Sequence, residues 1–192
     1  MRIALLGGTF NPVHIGHLAL ADDVHISLGY DRILLVPANI PPHKVMEGGT
    51  ASHDRLEMLR RAVAGVPFLD VEDCELVRGG LSYTIDTVNF LEQKYASSLE
   101  GKIGLIIGND LVSGFSLWRN ADALSGKTDI IIANRPGSAY GDFPYPFIPL
   151  SNPLLSISSS DIRSNITGGK SWRYLVPEAV FRYIIEYKLY EY

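Results

Sequence analysis

The chain alternates between two hydrophobic rhythms. Four short apolar runs, Ile3-Ala4-Leu5-Leu6, Ile33-Leu34-Leu35-Val36 (from Arg32), the run within residues 102–108, and the run within 128–133, end at Gly, Pro or Asn. Each is too brief for a helix and apolar at consecutive positions, which predicts strands buried on both faces. Between them the spacing lengthens to three or four. Leu18, Ala21, Val24, His25 and Leu28 mark one face of a helix that Gly29 closes. A helix is expected over residues 54–64, with Leu56, Leu59, Ala62 and Val63 inward and Asp54 as its cap. Another opens at Ser82-Tyr83-Thr84 and runs through Val88, Leu91 and Tyr95. Residues 111–124 read as mostly helical and carry Trp118; helices are also expected from Ser158 to Asn165 and, amphipathic with Pro177 at its first turn, over 177–190. Residues 68–77 alternate apolar and acidic side chains and read as two short strand-like pieces. The proline- and aromatic-rich stretch 140–153 reads as a surface crossing with Phe147-Ile148 as a short edge strand. Strand–helix alternation predicts an α/β fold: a doubly wound parallel sheet in three layers, with right-handed crossovers. No composition break divides residues 1–192, so one domain is expected.

Composition narrows the function classes. With 192 residues, 46% of them hydrophobic and 20% charged, the chain reads as an ordinary soluble globule. A formal charge of −4 argues against a general nucleic-acid or membrane binder, so anionic partners would need local basic groups. Cys74 is the single cysteine, which excludes an internal disulfide and suits a reducing cytoplasm; flanked by acidic residues, it reads as structural. Met1-Arg2 leads directly into a core strand, so no signal peptide is expected, and no apolar run approaches the ~20 residues of a membrane span.

Chemistry concentrates at strand ends. After the first strand, Gly7 and Gly8 permit a sharp turn, Pro12 interrupts it, and a helix follows from Ile15. Strand, glycine turn and helix start form an anion site, since free N–H groups and the helix dipole point the same way. The turn adds His14 and His17; a helix beginning near residue 13 would put both on one face. Other stretches fall at comparable places: Pro41-Pro42-His43-Lys44 in the loop 37–52, Ser82-Tyr83-Thr84, Gly108-Asn109-Asp110 with Trp118 beyond, and Ile157-Ser158-Ser159-Ser160-Asp161-Ile162-Arg163. Singly each has a plain explanation. Lys44 would be a solvated lysine, Trp118 core, Ser158 an N-cap, and Asp110 and Asp161 first-turn acids serving a dipole.

Jointly, G-G-T-F-x-P-V-H-x-G-H and the four later stretches resemble the nucleotidylyltransferases with a T/H-x-G-H signature, and among them the bacterial nicotinate-nucleotide adenylyltransferases. The resemblance implies a Rossmann-like strand order 3-2-1-4-5 and transfer of AMP from ATP to nicotinate mononucleotide in NAD biosynthesis. It implies ATP contacts from Gly8, Thr9, Phe10, His14, Gly16, His17, Asp110, Arg135, Ser158, Ser159, Ser160 and Arg163, with His14, His17 and Arg163 catalytic. It implies pyridine-nucleotide contacts from Lys44, Tyr83, Thr84, Trp118 and Arg119, with Arg55 as a less specific basic match. Mg²⁺ would arrive with ATP, held by phosphate oxygens and water rather than by a protein cage. The expected partners are these small molecules, with a homo-oligomer left open. Two positions depart from the family pattern: Asn11 replaces a common Asp and is given no ionic or metal role, and Ser160 replaces Thr. Pantetheine-phosphate adenylyltransferase is the alternative within the superfamily, but it usually carries Thr at the position of His14. A non-catalytic dinucleotide sensor would be expected to lose the histidines or Arg163.

Overall fold

In the computed structural model, which describes residues 1–42, 50–134, 142–153 and 155–191, six parallel strands form one sheet in the order β3-β2-β1-β4-β5-β6. The strands are β1 (Ile3–Gly8), β2 (Arg32–Pro37), β3 (Leu69–Val71), β4 (Ile103–Gly108), β5 (Thr128–Ala133) and β6 (Ile148–Leu150). The helices are α1 (Ile15–Leu28), α2 (Ser52–Val63), α3 (Cys74–Arg78), α4 (Thr84–Lys94), α5 (Ala121–Lys127), α6 (Ser159–Thr167) and α7 (Glu178–Glu186). The expected order 3-2-1-4-5 is present, and β6 extends it beyond β5, with Ile131 opposite Ile148.

Period-two alternation divides the core. Ala4 and Leu6 of β1, Ile33 and Leu35 of β2, and Ile131 of β5 face one cluster, with α1, α2, α6 and α7. Ile3 and Leu5, Leu34 and Val36, and Ile130 and Ile132 face the other, with α4 and α5. Helices on both faces give the three layers. The sheet order reverses between β1 and β4, and the crevice at the carboxyl ends of these strands is where such sheets bind ligands. Helix α1 ends as expected, at Gly29 with φ 67°. His25 is packed: its Nδ1–H donates to the Tyr30 carbonyl at 2.7 Å and its ring stacks on Phe68.

Several expectations need correction. Residues 74–78 form α3 rather than a second strand, because a five-residue helix is too short to show a period of 3.6 in its sequence. Helix α2 starts at Ser52 and buries Arg55, Met58, Leu59 and Ala62, not Leu56. Asp54 does not cap it; its carboxylate accepts the Tyr183 hydroxyl at 2.8 Å. Residues 109–117 form a 3-10 segment, so Trp118 lies outside any helix, and the α-helix expected there covers only α5. Helix α7 stops at Glu186, and Lys188 and Tyr190 both take positive φ. Cys74 is structural: burial, with Glu72 and Glu75 beside it, pushes its thiol pKa up to about 12.

Candidate active site

The turn after β1 is tightly determined. Phe10 sits at φ 47°, a left-handed conformation costing a side-chain-bearing residue on the order of 1–3 kcal/mol. Its ring is buried against Gly8, where an added Cβ would come within 3.1 Å of the ring. A side chain at position 8 would therefore force the Phe10 ring to shift by a few tenths of an ångström. The Asn11–Pro12 peptide that follows is cis.

His14 is the N-cap of α1 and His17 its third residue, so the two rings do not simply share a helical face. They stack on each other with centroids 3.6 Å apart. The His14 backbone N–H donates to His17 Nδ1 at 3.2 Å. An accepting Nδ1 carries no proton, which leaves Nε2 as the N–H donor of the neutral ring. Gly16 makes this possible, since a Cβ there would meet the His14 ring at 3.1–3.2 Å. His14 is itself buried.

A cavity of about 310 Å³ opens beside this helix start. Of the sequence candidates, His14, Gly16, His17, Asp110 and Ser158 line it, and Asn134, Asn152 and Asp161 join them. Two helix N-termini, α1 and α6, therefore meet one cavity. Ser158 caps α6: its Oγ accepts the Asp161 N–H at 3.0 Å and donates to the Asp161 carboxylate at 2.6 Å. Asn134 and Asn152 bond each other across the ends of β5 and β6, by N–H to Oδ1 at 2.7 Å and Nδ2–H to carbonyl at 3.0 Å. Sequence spacing carries no sign of that pair, because it depends on the pairing of β6.

Gly8, Thr9, Phe10, Ser159, Ser160 and Arg163 do not line this cavity. Arg163 Nη1 donates to the Asn11 carbonyl at 2.8 Å, and Ser159 Oγ donates to that of Pro12 at 2.8 Å, so α6 is bolted to the turn. Arg163 also reaches Ser160 Oγ at 3.3 Å. From the other side Arg55, 1% exposed, donates to the Thr9 carbonyl at 2.8 Å. Burial lowers the Arg55 pKa from its ordinary value, and the nearby Tyr190 opposes this.

A second group lies at the start of α4. Tyr83 is its N-cap and Thr84 its first residue. The Arg119 guanidinium lies 4.7 Å above the Tyr83 ring and 3.7 Å from the Asp86 carboxylate. Trp118 leans on Phe115, centroids 5.0 Å apart, and Phe115 is backed by Phe143 and Tyr145. Ser82 is buried; its Oγ accepts the Asn39 N–H at 2.8 Å, tying the loop after β2 to α4. Lys44, Arg135 and residues 43–49 of the loop 37–52, including Pro-Pro-His-Lys from His43 on, lie outside the described residues. Among the described residues, no three His, Cys, Asp or Glu side chains gather as a metal site, and no helix is long and apolar enough to cross a membrane.

The reversed parallel order, with a helix start that carries two histidines opening onto a cavity at the switch point, defines a doubly wound α/β protein with its crevice where such sheets bind ligands. The chain belongs to the cytidylyltransferase-like family, whose model matches residues 5–165, and within it to the nicotinate-nucleotide adenylyltransferases. A probable nicotinate-nucleotide adenylyltransferase of Treponema pallidum is 43% identical over 203 residues, covering 99% of each chain. One of Borreliella burgdorferi is 35% identical, over 99% of this chain and 97% of its own. In fold, the chain is similar to the Plasmodium falciparum nicotinic acid mononucleotide adenylyltransferase complexed with NaAD. The TM-score is 0.80 at 21% identity, over 98% of this chain and 97% of that one.

Proposed function

We propose that this protein transfers AMP from ATP to the 5′-phosphate of nicotinate mononucleotide, giving the nicotinate dinucleotide and pyrophosphate in NAD biosynthesis. The observation that carries the reading is the convergence of two helix N-termini on one cavity, one of them bearing the stacked His14–His17 pair. A phosphate monoester is already a nucleophile, so no covalent enzyme intermediate is needed. Catalysis reduces to alignment and charge stabilisation. His17 would donate from Nε2 to the triphosphate, and His14 and Arg163 would complete the neutralisation of the leaving pyrophosphate. The α6 amides would receive its tail. Ser158 acts there as the cap that orients those amides, while Ser159 and Arg163 hold α6 against the turn and Ser160 accepts from Arg163 within α6. Thr9 and Phe10 would offer backbone amides, Asp110 ribose contacts and Arg135 the adenosine side.

On the acceptor side Lys44 would steady the attacking phosphate and Trp118 would stack on the pyridine ring. Amides near Tyr83 and Thr84, with Arg119, would take the carboxylate. Mg²⁺ would ride on the ATP phosphates with its own waters, supplying charge neutralisation. Residues 1–192 would act as one domain, in the cytoplasm. The test is pyrophosphate release from ATP with a panel of acceptors. Nicotinate mononucleotide should exceed nicotinamide mononucleotide by at least ~10- to 100-fold in kcat/KM, because donor N–H groups matched to a carboxylate face an NH₂ on the amide, a mismatch of about 1–3 kcal/mol. Turnover of 4′-phosphopantetheine instead, or of no acceptor, would overturn the reading.

A further inference from the structure

We propose that Tyr190, in the segment after α7, is a positioning residue that acts through Asn11 to set the turn between β1 and α1. The inference rests on the adenylyltransferase reading for its assay, but its argument is geometric. Tyr190 is 5% exposed and its hydroxyl donates to Asn11 Oδ1 at 2.7 Å, a bond spanning 179 positions of sequence. Asn11 is itself 3% exposed and sits between Phe10, at φ 47°, and Pro12. Its carbonyl is the acceptor of Arg163. One residue thus joins the segment after α7 to the histidine-bearing turn and to the arginine of α6.

Two further observations set this contact apart from ordinary packing. Tyr190 takes φ 66° and Lys188 φ 50°, both left-handed, so the segment adopts costly backbone to direct the phenol inward. Left-handed conformations at side-chain-bearing residues persist only where surrounding contacts over-determine them, and here such residues stand on both sides of one hydrogen bond. Burial also raises the phenol pKa, so the hydroxyl stays a donor throughout the working range. An amide at position 11 suits this arrangement. Its Oδ1 accepts from the phenol, and no carboxylate charge is placed in a buried site. The departure of Asn11 from the family pattern thus acquires a structural role.

The experiment compares Tyr190→Phe, Asn11→Ala and the double variant in steady-state pyrophosphate release, with thermal unfolding measured on each. Tyr190→Phe keeps the buried ring and removes one hydroxyl. Its kcat should fall about tenfold, the scale of a small misplacement of catalytic groups, with KM for ATP within about twofold. In the Asn11→Ala background the same substitution should lower kcat no further, because the path runs through that side chain, while loss of the Thr50 bond to the same hydroxyl bears on stability. A wild-type kcat in Tyr190→Phe would overturn the proposal. So would a loss confined to KM, or a loss that persists in the Asn11→Ala background. Wild-type protein inactive on ATP and nicotinate mononucleotide would overturn the functional reading. The double-variant comparison would then be read from thermal unfolding, where additive losses overturn the coupling and non-additive losses support it.

Discussion

The cavity between α1 and α6 and the face formed by Tyr83, Trp118 and Arg119 are built by opposite means. Around the cavity, side chains are spent on holding the backbone of the turn and of the helix start. Arg55 holds Thr9, Arg163 holds Asn11, Ser159 holds Pro12, and His17 is held by the His14 backbone. Phe10, Asn11, His14 and Arg55 are all buried. At the second face rings lean on rings, Trp118 is half-buried, and Arg119 is exposed with its Asp86 partner at 3.7 Å. Stabilising charge that develops during a reaction demands donors fixed beforehand. Recognising a flat ring demands area and an edge contact, which tolerate freedom. The contrast predicts that damage to the first region appears in kcat and damage to the second in the acceptor KM.

The largest expected effect is His17→Ala. Removal of one preorganised donor should lower kcat by about 10²–10³ while the protein folds, since the half-exposed ring contributes little core. A folded variant retaining more than half its activity would remove His17 from the chemistry. Next comes Trp118→Ala, which should weaken the pyridine nucleotide by roughly 1–3 kcal/mol, the scale of base–aromatic stacking, and leave KM for ATP in place. Equal losses for both substrates would erase the division between the two regions.

Gly16→Ala sharpens the cavity side. The new methyl would press on the buried His14 ring at 3.1–3.2 Å, so the ring must shift by a few tenths of an ångström. A kcat about tenfold lower with nearly unchanged KM values is expected, because displacement of a catalytic group acts on the transition state. An unchanged kcat would show that the His14 ring position is not critical.

How much of this was legible in the sequence follows the same division. The four central strands stand out because parallel strands covered on both faces must be apolar at successive positions, as Ile3–Leu6 and Ile33–Val36 are. The helix start with His14 and His17 was legible because close ring packing favours recognisable residues, namely Gly8 under Phe10 and Gly16 under His14. Short elements such as α3 gave no usable period. Arg55 is charged and so carries no hydrophobic signal, although Met58, Leu59 and Ala62 place position 55 on the buried stripe by helical spacing alone. The Asn134–Asn152 pair and the Tyr190–Asn11 bond join distant segments, and no local pattern encodes them.

The smallest effect belongs to Arg119, and it tests the open face most directly. Its guanidinium touches an aromatic ring and stands 3.7 Å from a carboxylate, with 54% of the side chain exposed. Exposed ion pairs contribute about 0–1 kcal/mol, so Arg119→Ala should leave the unfolding midpoint within a few degrees of wild type. What it should change is selectivity. With the cation gone, backbone donors near Tyr83 remain to meet the carboxylate, and the preference for acid over amide should shrink by only about two- to fivefold, as one exposed charge–charge contact of up to about 1 kcal/mol implies. That difference should narrow further as salt rises, because an exposed charge is screened over about 10 Å at 0.1 M ionic strength. The measurement is kcat/KM for both mononucleotides at two salt concentrations. A variant with unchanged preference would assign discrimination to the α4 backbone alone. A salt-independent loss would mean that Arg119 is desolvated when substrate binds, and that this face closes as tightly as the cavity.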